Sequence, residues 1–407
     1  MVGPLANIRV LDLSRVLAGP WASQILADLG AEVIKVERPG RGDDTRAWGP
    51  PFLADAEGRE TGESAYFLSA NRGKKSVTID ITRAEGQALV RRLAGRSDVL
   101  LENFRVGALA RFGLDYESLR AVNPRLVYCS ITGFGQTGPA RDRAGYDAMI
   151  QALGGLMSIT GEPDAEPGGG PQKVGVALAD VLTGLYAAVA VLAALAHRER
   201  SGAGQWIDLA LLDVQIACLA NQAMNYLISG VPPVRMGTAH PNIVPYQVFA
   251  TSDGHLVLAV GNDEQFASFC RLAGRPELAR EERFATNAAR VRNREALVPI
   301  IAALVRERAT QLWLDALEAA GIPCGPIHTI DRVFAQPQAV HRGMRFDMSH
   351  PTAGRVPQVA SPMRFSASPV AYEIPPPLLG QHNDEVLGEL LEIDVEARRA
   401  LRDRGIV

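Results

Sequence analysis

Cysteine is scarce in this 407-residue chain, and its four copies are far apart. Cys129, Cys218, Cys270 and Cys324 show none of the close Cys or His spacings that bind zinc, and the seven histidines are scattered. Nor do the cysteines resemble the disulfide framework of a small secreted domain. We therefore expect reduced thiols, no metal site and a cytoplasmic location.

Three further absences argue against nucleic-acid, secreted and membrane proteins. Acidic and basic residues nearly balance, with a net charge of −3, which gives no electrostatic basis for binding nucleic acid. Residues 1–5 are not a basic segment followed by an apolar run, so a signal peptide is not expected. The uncharged apolar run at 181–196 is short for a bilayer span and predicts a buried helix.

Common nucleotide-binding and hydrolase motifs are missing as well. The first strand–helix turn reads Ser14-Arg15-Val16-Leu17-Ala18-Gly19-Pro20 instead of Gly-x-Gly-x-x-Gly, which argues against a nicotinamide dehydrogenase. The chain contains neither a Walker loop nor the Gly-x-Ser-x-Gly elbow of a serine hydrolase.

Strand and helix patterns alternate along the first half of the chain. Strands are predicted at residues 8–13, 33–37, 76–81, 99–103, 126–131 and 205–213. Such alternation is typical of the α/β class with a doubly wound, Rossmann-like parallel sheet. Ligands of these folds bind beyond the carboxyl ends of the strands.

The length of the chain predicts two domains. We assign residues 1–220 to a large α/β domain, completed by the C-terminal segment 335–407. Residues 221–245 are expected to be a linker, and residues 246–334 a smaller α+β domain. Residues 39–63 are expected to form a long surface loop, and the proline-rich residues 333–379 an extended segment.

A single carboxylate, Asp180, directly precedes the apolar run at 181–196. The pattern predicts a strand over residues 174–178 and then a helix with Asp180 at or near its N-cap, where the first N–H groups favour its charge. Asp180 is then either only a cap or a catalytic nucleophile. Its spacing alone favours the cap.

Short motifs in a fixed order extend over nearly the whole chain. They are Arg9-Val10-Leu11-Asp12-Leu13-Ser14, Leu29-Gly30-Ala31-Glu32-Val33-Ile34-Lys35-Val36-Glu37, Asn71-Arg72-Gly73-Lys74-Lys75-Ser76, Glu102-Asn103-Phe104, Gly145-Tyr146-Asp147, Ala179-Asp180-x-x-Thr183-Gly184, Gly321-Ile322-Pro323-Cys324-Gly325-Pro326 and Leu378-Leu379-Gly380-Gln381-His382. The ordered set resembles the class III coenzyme A transferases, the family of formyl-CoA transferase and carnitine-CoA transferase. Residues 238–247 and 261–266 carry a finer similarity, to members that use dicarboxylic acids.

The resemblance implies an enzyme that moves CoA from an acyl-CoA donor, such as succinyl-CoA, to a free dicarboxylate such as glutarate. It implies an interlocked homodimer, with CoA and acyl-CoA as substrates and no metal. Asp180 corresponds to the family's nucleophile, which forms an aspartyl mixed anhydride and then an aspartyl-CoA thioester. Tyr146 and the N–H groups near Gly154 and Gly155 are expected to support the developing oxyanion.

The resemblance also places the substrates. The positions that correspond to the family's CoA site are Val16, Leu17, Ala18, Arg38, Ile79, Asp80, Ile81, Thr82, Asn103, Phe104, Arg105, Arg111, Ile131, Thr132, Gly133 and Phe134. Leu17 replaces the glutamine of formyl-CoA transferase, so oxalate and formate are not the expected acids. The composition of residues 237–246 suggests a loop over the site, in which His240 or Arg235 meets a substrate carboxylate.

Two other functions fit the same motifs. An α-methylacyl-CoA racemase of this fold carries a catalytic histidine where this chain has Tyr146, and a tyrosine of ordinary pKa is a poor base at neutral pH. A CoA-binding protein without catalysis would not need Asp180. Both alternatives are therefore weaker than a transferase.

Overall fold

The computed structural model describes residues 3–407, which divide into two compact units. The first combines the chain up to Leu156 with Val174–Met224 and Gln338–Val407, and the second combines Met157–Lys173 with Asn225–Pro337.

This division differs from the sequence-based boundaries in two segments. Residues 157–173, assigned by the sequence to the large domain, and residues 225–245, assigned to a linker, both fall in the second unit. They are tied to each other: the Gly237 N–H donates to the Gly161 carbonyl at 3.0 Å, and the Arg235 guanidinium pairs with Asp164. Because these bonds join segments that are far apart in the chain, the local sequence could not predict that both segments belong to the second unit.

Thirteen strands form in residues 3–407. They are β1 (Arg9–Asp12), β2 (Glu32–Glu37), β3 (Phe52–Ala54), β4 (Glu60–Ser64), β5 (Lys74–Thr78), β6 (Val99–Glu102), β7 (Val127–Thr132), β8 (Trp206–Ala210), β9 (Tyr246–Ala250), β10 (His255–Ala259), β11 (Cys324–Pro326), β12 (Arg345–His350) and β13 (Gly354–Val359).

Six of these strands form the central sheet of the first unit, in the order β5-β2-β1-β6-β7-β8, and every neighbouring pair is parallel. This confirms the predicted α/β fold with a parallel sheet. The order reverses between β1 and β6, so the segments that follow these two strands flank the crevice where such sheets bind ligands.

The α-helices lie between and after these strands. They are α1 (Ala18–Asp28), α2 (Ala65–Ser69), α3 (Ala84–Gly95), α4 (Tyr116–Arg120), α5 (Asp147–Leu153), α6 (Leu156–Ile159), α7 (Leu178–Ser201), α8 (Leu211–Ala217), α9 (Ala220–Ser229), α10 (Asp263–Leu272), α11 (Asn287–Arg292), α12 (Arg294–Arg306), α13 (Thr310–Ala319), α14 (Ile330–Ala335), α15 (Pro337–His341), α16 (Asn383–Glu385) and α17 (Val395–Asp403). Short 3-10 turns form at Asp44–Ala47, Ala110–Phe112 and Pro276–Arg280, and a π turn at Val386–Leu390.

Both faces of the sheet are covered. Side chains alternate along a strand, so Val10 and Val33 join a core with helices α1 and α7, while Leu11 and Ile34 join a second core with α3 and the C-terminal segment. Apolar residues on both faces explain why these strands read as continuous hydrophobic runs in the sequence.

Helix α7 carries the apolar run. Its length and hydropathy would allow a membrane span, but it packs in the first unit against α1, α5 and α8. Small residues such as Ala187 and Ala194 are buried on this face, whereas Leu185 and Val189 are exposed. Arg198 and Arg200 in the last turn and Gly202 after it end the helix in the usual way.

The second unit has its own core. Strands β11, β10 and β9 form an antiparallel sheet in that order; helices α12 and α13 pack against it, and α10 packs against α13. Phe266, Phe269 and Trp313 fill the space between them.

Three local predictions were wrong. Residues 174–177 form no strand, because the chain turns at Gly175 and Val176 directly before α7. The expected surface loop 39–63 contains the hairpin β3–β4, and the expected extended segment 333–379 contains the hairpin β12–β13. Short antiparallel strands give weak periodic signals, which charged and proline residues hide.

Candidate active site

Two cavities of the first unit lie along the crevice between β1 and β6. One, of about 250 Å³, is lined by residues 16–18 after β1, residues 103–106 after β6, the end of β7 and Asp180. The other, of about 310 Å³, is lined by the ends of β2 and β5 and by residues 41–44. Arg15 and Phe104 line both cavities, so the two adjoin there, with the Arg15 guanidinium 5.5 Å from the centre of the Phe104 ring.

Asp180 lies in the first turn of α7, as the third helical residue. The sequence placed it at or near the N-cap, but Ala177 is the capping residue and its side chain makes no capping hydrogen bond. Asp147 supplies that bond instead: its Oδ1 accepts from the Ala179 N–H at 2.9 Å. The carboxylate of Asp180 is therefore not engaged as a cap and lines the first cavity.

The motif Asp180-x-x-Thr183-Gly184 sets how closely α7 approaches α1. A Cβ atom at Gly184 would lie 2.8 Å from the Ala18 carbonyl oxygen and 3.0 Å from the Trp21 Cβ. The Thr183 hydroxyl donates to the Ala179 carbonyl at 2.7 Å, which keeps this polar side chain satisfied inside the core. The close packing one turn after Asp180 holds its backbone near residues 16–18.

Tyr146 lines the same cavity, because a contact between two glycines brings its loop close to the end of β7. A Cβ atom at Gly133 would lie 2.7 Å from the Gly145 Cα, and one at Gly145 would lie 2.4 Å from the Gly133 Cα. A side chain at either position would push the loop before Tyr146 away from the end of β7. The Tyr146 side chain is 65% exposed, so it is open to a ligand in the cavity.

Asp180 has an environment that disfavours its negative charge. Burial, and then the negative charge of Asp147, raise the pKa of Asp180 to about 7. The sequence suggested that the helix end favours the charged form, whereas burial and Asp147 favour the protonated form. A carboxylate that is poorly solvated in the free protein is suited to react once a cationic or acylating ligand enters.

The residues predicted for the CoA site divide between the two cavities. The first cavity contains Val16, Leu17, Ala18, Asn103, Phe104, Arg105, Ile131, Thr132 and Gly133, together with Tyr146 and Asp180, which were predicted to be catalytic. The second contains Arg38, Ile79, Asp80, Ile81, Thr82 and again Phe104. Arg111 and Phe134 line neither: the Arg111 guanidinium lies 6.0 Å from the centre of the Phe112 ring, and Phe134 stacks on Arg143.

Exposed arginines line each cavity, Arg38 the second and Arg105 the first, and Arg111 is next to Phe112 of the second. Arg38, Arg105 and Arg111 are exposed, and within residues 3–407 none of the three forms an ion pair with an acid. A guanidinium in this state is a ready donor to phosphate oxygens.

Two sets of predicted residues lie elsewhere. The N–H groups of Gly154 and Gly155 donate to the carbonyls of Ile150 and Ala152 at 2.7 and 3.4 Å, so these bonds would have to break before either group met an oxyanion, and that role stays a prediction. His240 and Arg235 belong to the second unit. His240 stacks on Tyr246, and Arg235 pairs with Asp164, so their role as substrate contacts remains a prediction.

The structure adds residues that the sequence did not single out as functional. Asp147 caps α7 and raises the pKa of Asp180, although only its position directly after Tyr146 hinted at a role. Arg15, Arg141 and Arg143 belong to no predicted site, and all three line the first cavity. In the part of the chain that the structure describes, no three His, Cys, Asp or Glu side chains gather as metal ligands.

Comparisons with known proteins agree with this geometry. Residues 5–383 match CoA-transferase family III. The chain is 54% identical to a succinate–glutarate CoA-transferase of Agrobacterium fabrum over 96% of both chains. It is 46% identical to the human succinyl-CoA:glutarate CoA-transferase, over 100% of this chain and 90% of that one. A crystal structure of a CAIB/BAIF family protein from Brucella suis has a TM-score of 0.83 and 51% identity, covering 96% of this chain and 100% of that one. This chain belongs to CoA-transferase family III.

Proposed function

We propose that this enzyme transfers CoA from succinyl-CoA to glutarate, with Asp180 as the nucleophile. The observation that carries the proposal is the position of Asp180: a poorly solvated carboxylate lines a cavity together with residues 16–18, 103–105 and 131–133, which match the CoA site of the family. The relatives named for succinyl-CoA and glutarate support the choice of the two acids.

The chemistry proceeds through two kinds of acyl intermediate. The Asp180 carboxylate attacks the thioester carbonyl, which forms a mixed anhydride and expels the CoA thiolate. The thiolate then attacks the aspartyl carbonyl, which releases succinate and leaves an aspartyl-CoA thioester. Glutarate attacks this thioester and again expels CoA, and the thiolate takes the glutaryl group, which restores the free carboxylate. A covalent carboxylate thereby divides the exchange into steps of similar energy.

The residues around Asp180 have separate tasks in this scheme. Tyr146 is open to the cavity and can donate its hydroxyl to a developing oxyanion. Arg105, Arg141 and Arg143 line the cavity and offer positive charge to a carboxylate or a phosphate. A bound substrate would fill this space and displace water, which protects the reactive thioester from hydrolysis.

Trapping the intermediate tests the proposal directly. The protein is incubated with succinyl-CoA and treated with hydroxylamine, and its peptides are analysed by mass spectrometry. A hydroxamate on Asp180 is expected. Absence of any modified acid, together with exchange of an α-proton of the acyl-CoA for deuterium, would instead favour the racemase.

The acceptor acid is tested with a panel. CoA transfer from succinyl-CoA is measured with C4 to C6 dicarboxylates, including malate, itaconate, glutarate and hydroxymethylglutarate, and glutarate is expected to give the highest kcat/KM. Repeating the panel with His240→Ala and Arg235→Ala tests the loop assignment. If the KM of every acid stays unchanged, neither side chain meets the distal carboxylate.

The pH dependence of the reaction is expected to follow Asp180. The nucleophile must be ionised, so kcat/KM should rise with pH and level off above about 7, the value to which burial and Asp147 raise the Asp180 pKa. Asp147→Asn removes the nearby negative charge, so the rise of kcat/KM with pH should occur roughly one pH unit lower.

The asparagine variant of Asp147 is a selective change. Its side-chain oxygen can still accept from the Ala179 N–H, so helix α7 should remain capped. Asp147→Ala is the matched comparison, because it removes the charge and the cap together and should cost about 1 kcal/mol of stability. An unshifted pH profile in both variants would contradict the electrostatic role of Asp147.

The exposed arginines are expected to bind the phosphates of CoA. Arg38 lines the second cavity, so Arg38→Ala should raise the KM for succinyl-CoA roughly tenfold and leave kcat nearly unchanged, as expected when a charged hydrogen bond is lost from binding alone. Arg120, an exposed arginine of α4 beside Glu117, provides the control. Equal effects of Arg38→Ala and Arg120→Ala would exclude a specific phosphate contact.

We also infer a homodimer in the cytoplasm, in line with the family resemblance. Leu185 and Val189 are exposed on α7 and line an apolar groove of about 810 Å³ in the first unit, a surface that a second copy of the chain could cover. The four cysteines form no disulfide, which suits a reducing compartment. Analytical ultracentrifugation tests the dimer, and cell fractionation tests the location.

A further inference from the structure

The loop after β1 is held by side chains through almost every backbone polar group. Asp12 Oδ1 accepts from the Ser14 N–H at 2.8 Å, and the Lys35 ammonium donates to the Ser14 carbonyl at 2.9 Å. The Asn103 side chain accepts from the Arg15 N–H at 2.9 Å and donates to the Arg15 carbonyl at 2.7 Å. This loop leads directly into the residues that line the cavity of Asp180.

The next residue, Val16, has a backbone conformation that a β-branched side chain rarely adopts. Its φ is +70°, and it is the only β-branched residue with a positive φ in residues 3–407. Asp43 Oδ1 accepts from its N–H at 3.2 Å. Strain of this kind persists only where the surrounding contacts enforce it, and it is concentrated at functional sites.

Asp43 itself is rigidly held. Its Oδ1 also accepts from the Thr45 N–H and hydroxyl at 3.0 and 2.8 Å, its Oδ2 accepts from the Lys35 ammonium at 2.9 Å, and its own N–H donates to Glu37. The side chains of Asp43 and Lys35 are both buried, although both residues border the second cavity. Lys35 therefore links Asp43 to the Ser14 carbonyl in the loop after β1.

We propose that Asp43 is a positioning residue for CoA transfer, which holds Val16 in its strained conformation so that residues 16–18 keep their place beside Asp180. The inference rests on the proposed function of Asp180. Asp43 lines the second cavity and not the one that contains Asp180. It is connected to the loop beside Asp180 directly, through the Val16 N–H, and indirectly, through Lys35 and the Ser14 carbonyl, and the proposal concerns the direct contact.

A rescue experiment separates this role from general support of the fold. Asp43→Ala is expected to lower kcat by roughly 5- to 100-fold, the range that the relief of one strained residue spans. Glycine adopts a positive φ without strain, so in the Val16→Gly background the same substitution should lower kcat by less than about threefold. Equal losses in both backgrounds would overturn the proposal.

Further variants keep the test decisive. Asp43→Asn retains one oxygen for the Val16 N–H but takes the carboxylate away from Lys35, so it should lower the stability and keep most of kcat. If Asp43→Ala does not fold, Asp43→Ala with Lys35→Met, which leaves no buried charge unpaired, replaces it in both backgrounds. A loss of kcat in Asp43→Asn that Val16→Gly does not relieve would also overturn the proposal. Asp28→Ala breaks another buried ion pair, with Arg72, and should show no rescue by Val16→Gly.

The comparison needs only the overall transfer rate between succinyl-CoA and glutarate. Its outcome is therefore independent of hydroxylamine trapping, which tests Asp180. If Val16→Gly rescues Asp43→Ala but no Asp180 intermediate is trapped, the positioning role of Asp43 is supported and Asp180 is rejected as the nucleophile. If the Asp180 intermediate is trapped but there is no rescue, Asp180 is supported and the positioning role of Asp43 is rejected.

Discussion

Asp180→Asn is expected to lower kcat for CoA transfer by at least about 10⁴-fold, because loss of a covalent nucleophile removes the whole reaction path. The asparagine side chain has nearly the same size and can still lie in the first turn of α7. Hydroxylamine treatment after incubation with succinyl-CoA should yield no modified residue at position 180. The measurement is the transfer rate, followed by mass spectrometry of the trapped protein.

The same variant should remain fully folded, which serves as its control. The pKa of Asp180 is raised in the folded protein, so the fold favours the protonated form, and stability is lost as pH rises from the ordinary aspartate value through about 7. An uncharged amide avoids this loss. At pH 8 the melting temperature of Asp180→Asn should therefore equal or exceed that of the wild type. Substantial transfer activity, or a lower melting temperature, would contradict the assignment.

Asp12→Ala is expected to destabilise the first unit by about 3–5 kcal/mol, the usual result of breaking a buried ion pair. Asp12 is fully buried at the end of β1 and accepts from the hydroxyls of Ser14 and Ser23 and from the Lys74 ammonium. Burial would raise the Asp12 pKa, but Lys74 and Lys35 and the two serines bring it below its usual value. Its removal leaves an ammonium without a carboxylate. Urea denaturation measures the change.

Two variants test the origin of this effect. Asp12→Ala with Lys74→Met removes both charges and should recover part of the lost stability, because no unpaired charge remains buried. Glu57→Ala breaks an exposed pair with Arg59 and should leave the urea midpoint almost unchanged. If the double variant is no more stable than Asp12→Ala, the buried charge is not the cause.

Much of the sheet could be predicted from the sequence because its signals are local. β1, β2, β6 and β7 are short apolar runs between helical patterns, and their predicted bounds lie close to the observed ones. Parallel strands buried on both faces are rich in apolar residues, so their composition indicates them even where a buried charge such as Asp12 or Lys35 interrupts the run. The position of the ligand crevice then follows from the alternation of strands and helices.

The residues proposed for the active site could be named from the sequence for a different reason. Asp180, Tyr146 and residues 16–18 were named from their similarity to a family, and the structure brings them together in one cavity. The similarity could not show how the parts are supported. Asp147, separated from Ala179 by thirty-two positions, supplies the cap of α7 that the sequence had assigned to Asp180.

By itself, the sequence indicated the α/β class and the family and singled out Asp180 as the proposed nucleophile, because each depends on residues read in order along the chain. Only the tertiary structure shows the raised pKa of Asp180 and the positive φ of Val16. Both depend on distant groups, Asp147 in one case and Asp43 with Lys35 in the other. A charge is perturbed by what lies near it in space and by the loss of water, and neither quantity is encoded in neighbouring positions of the chain.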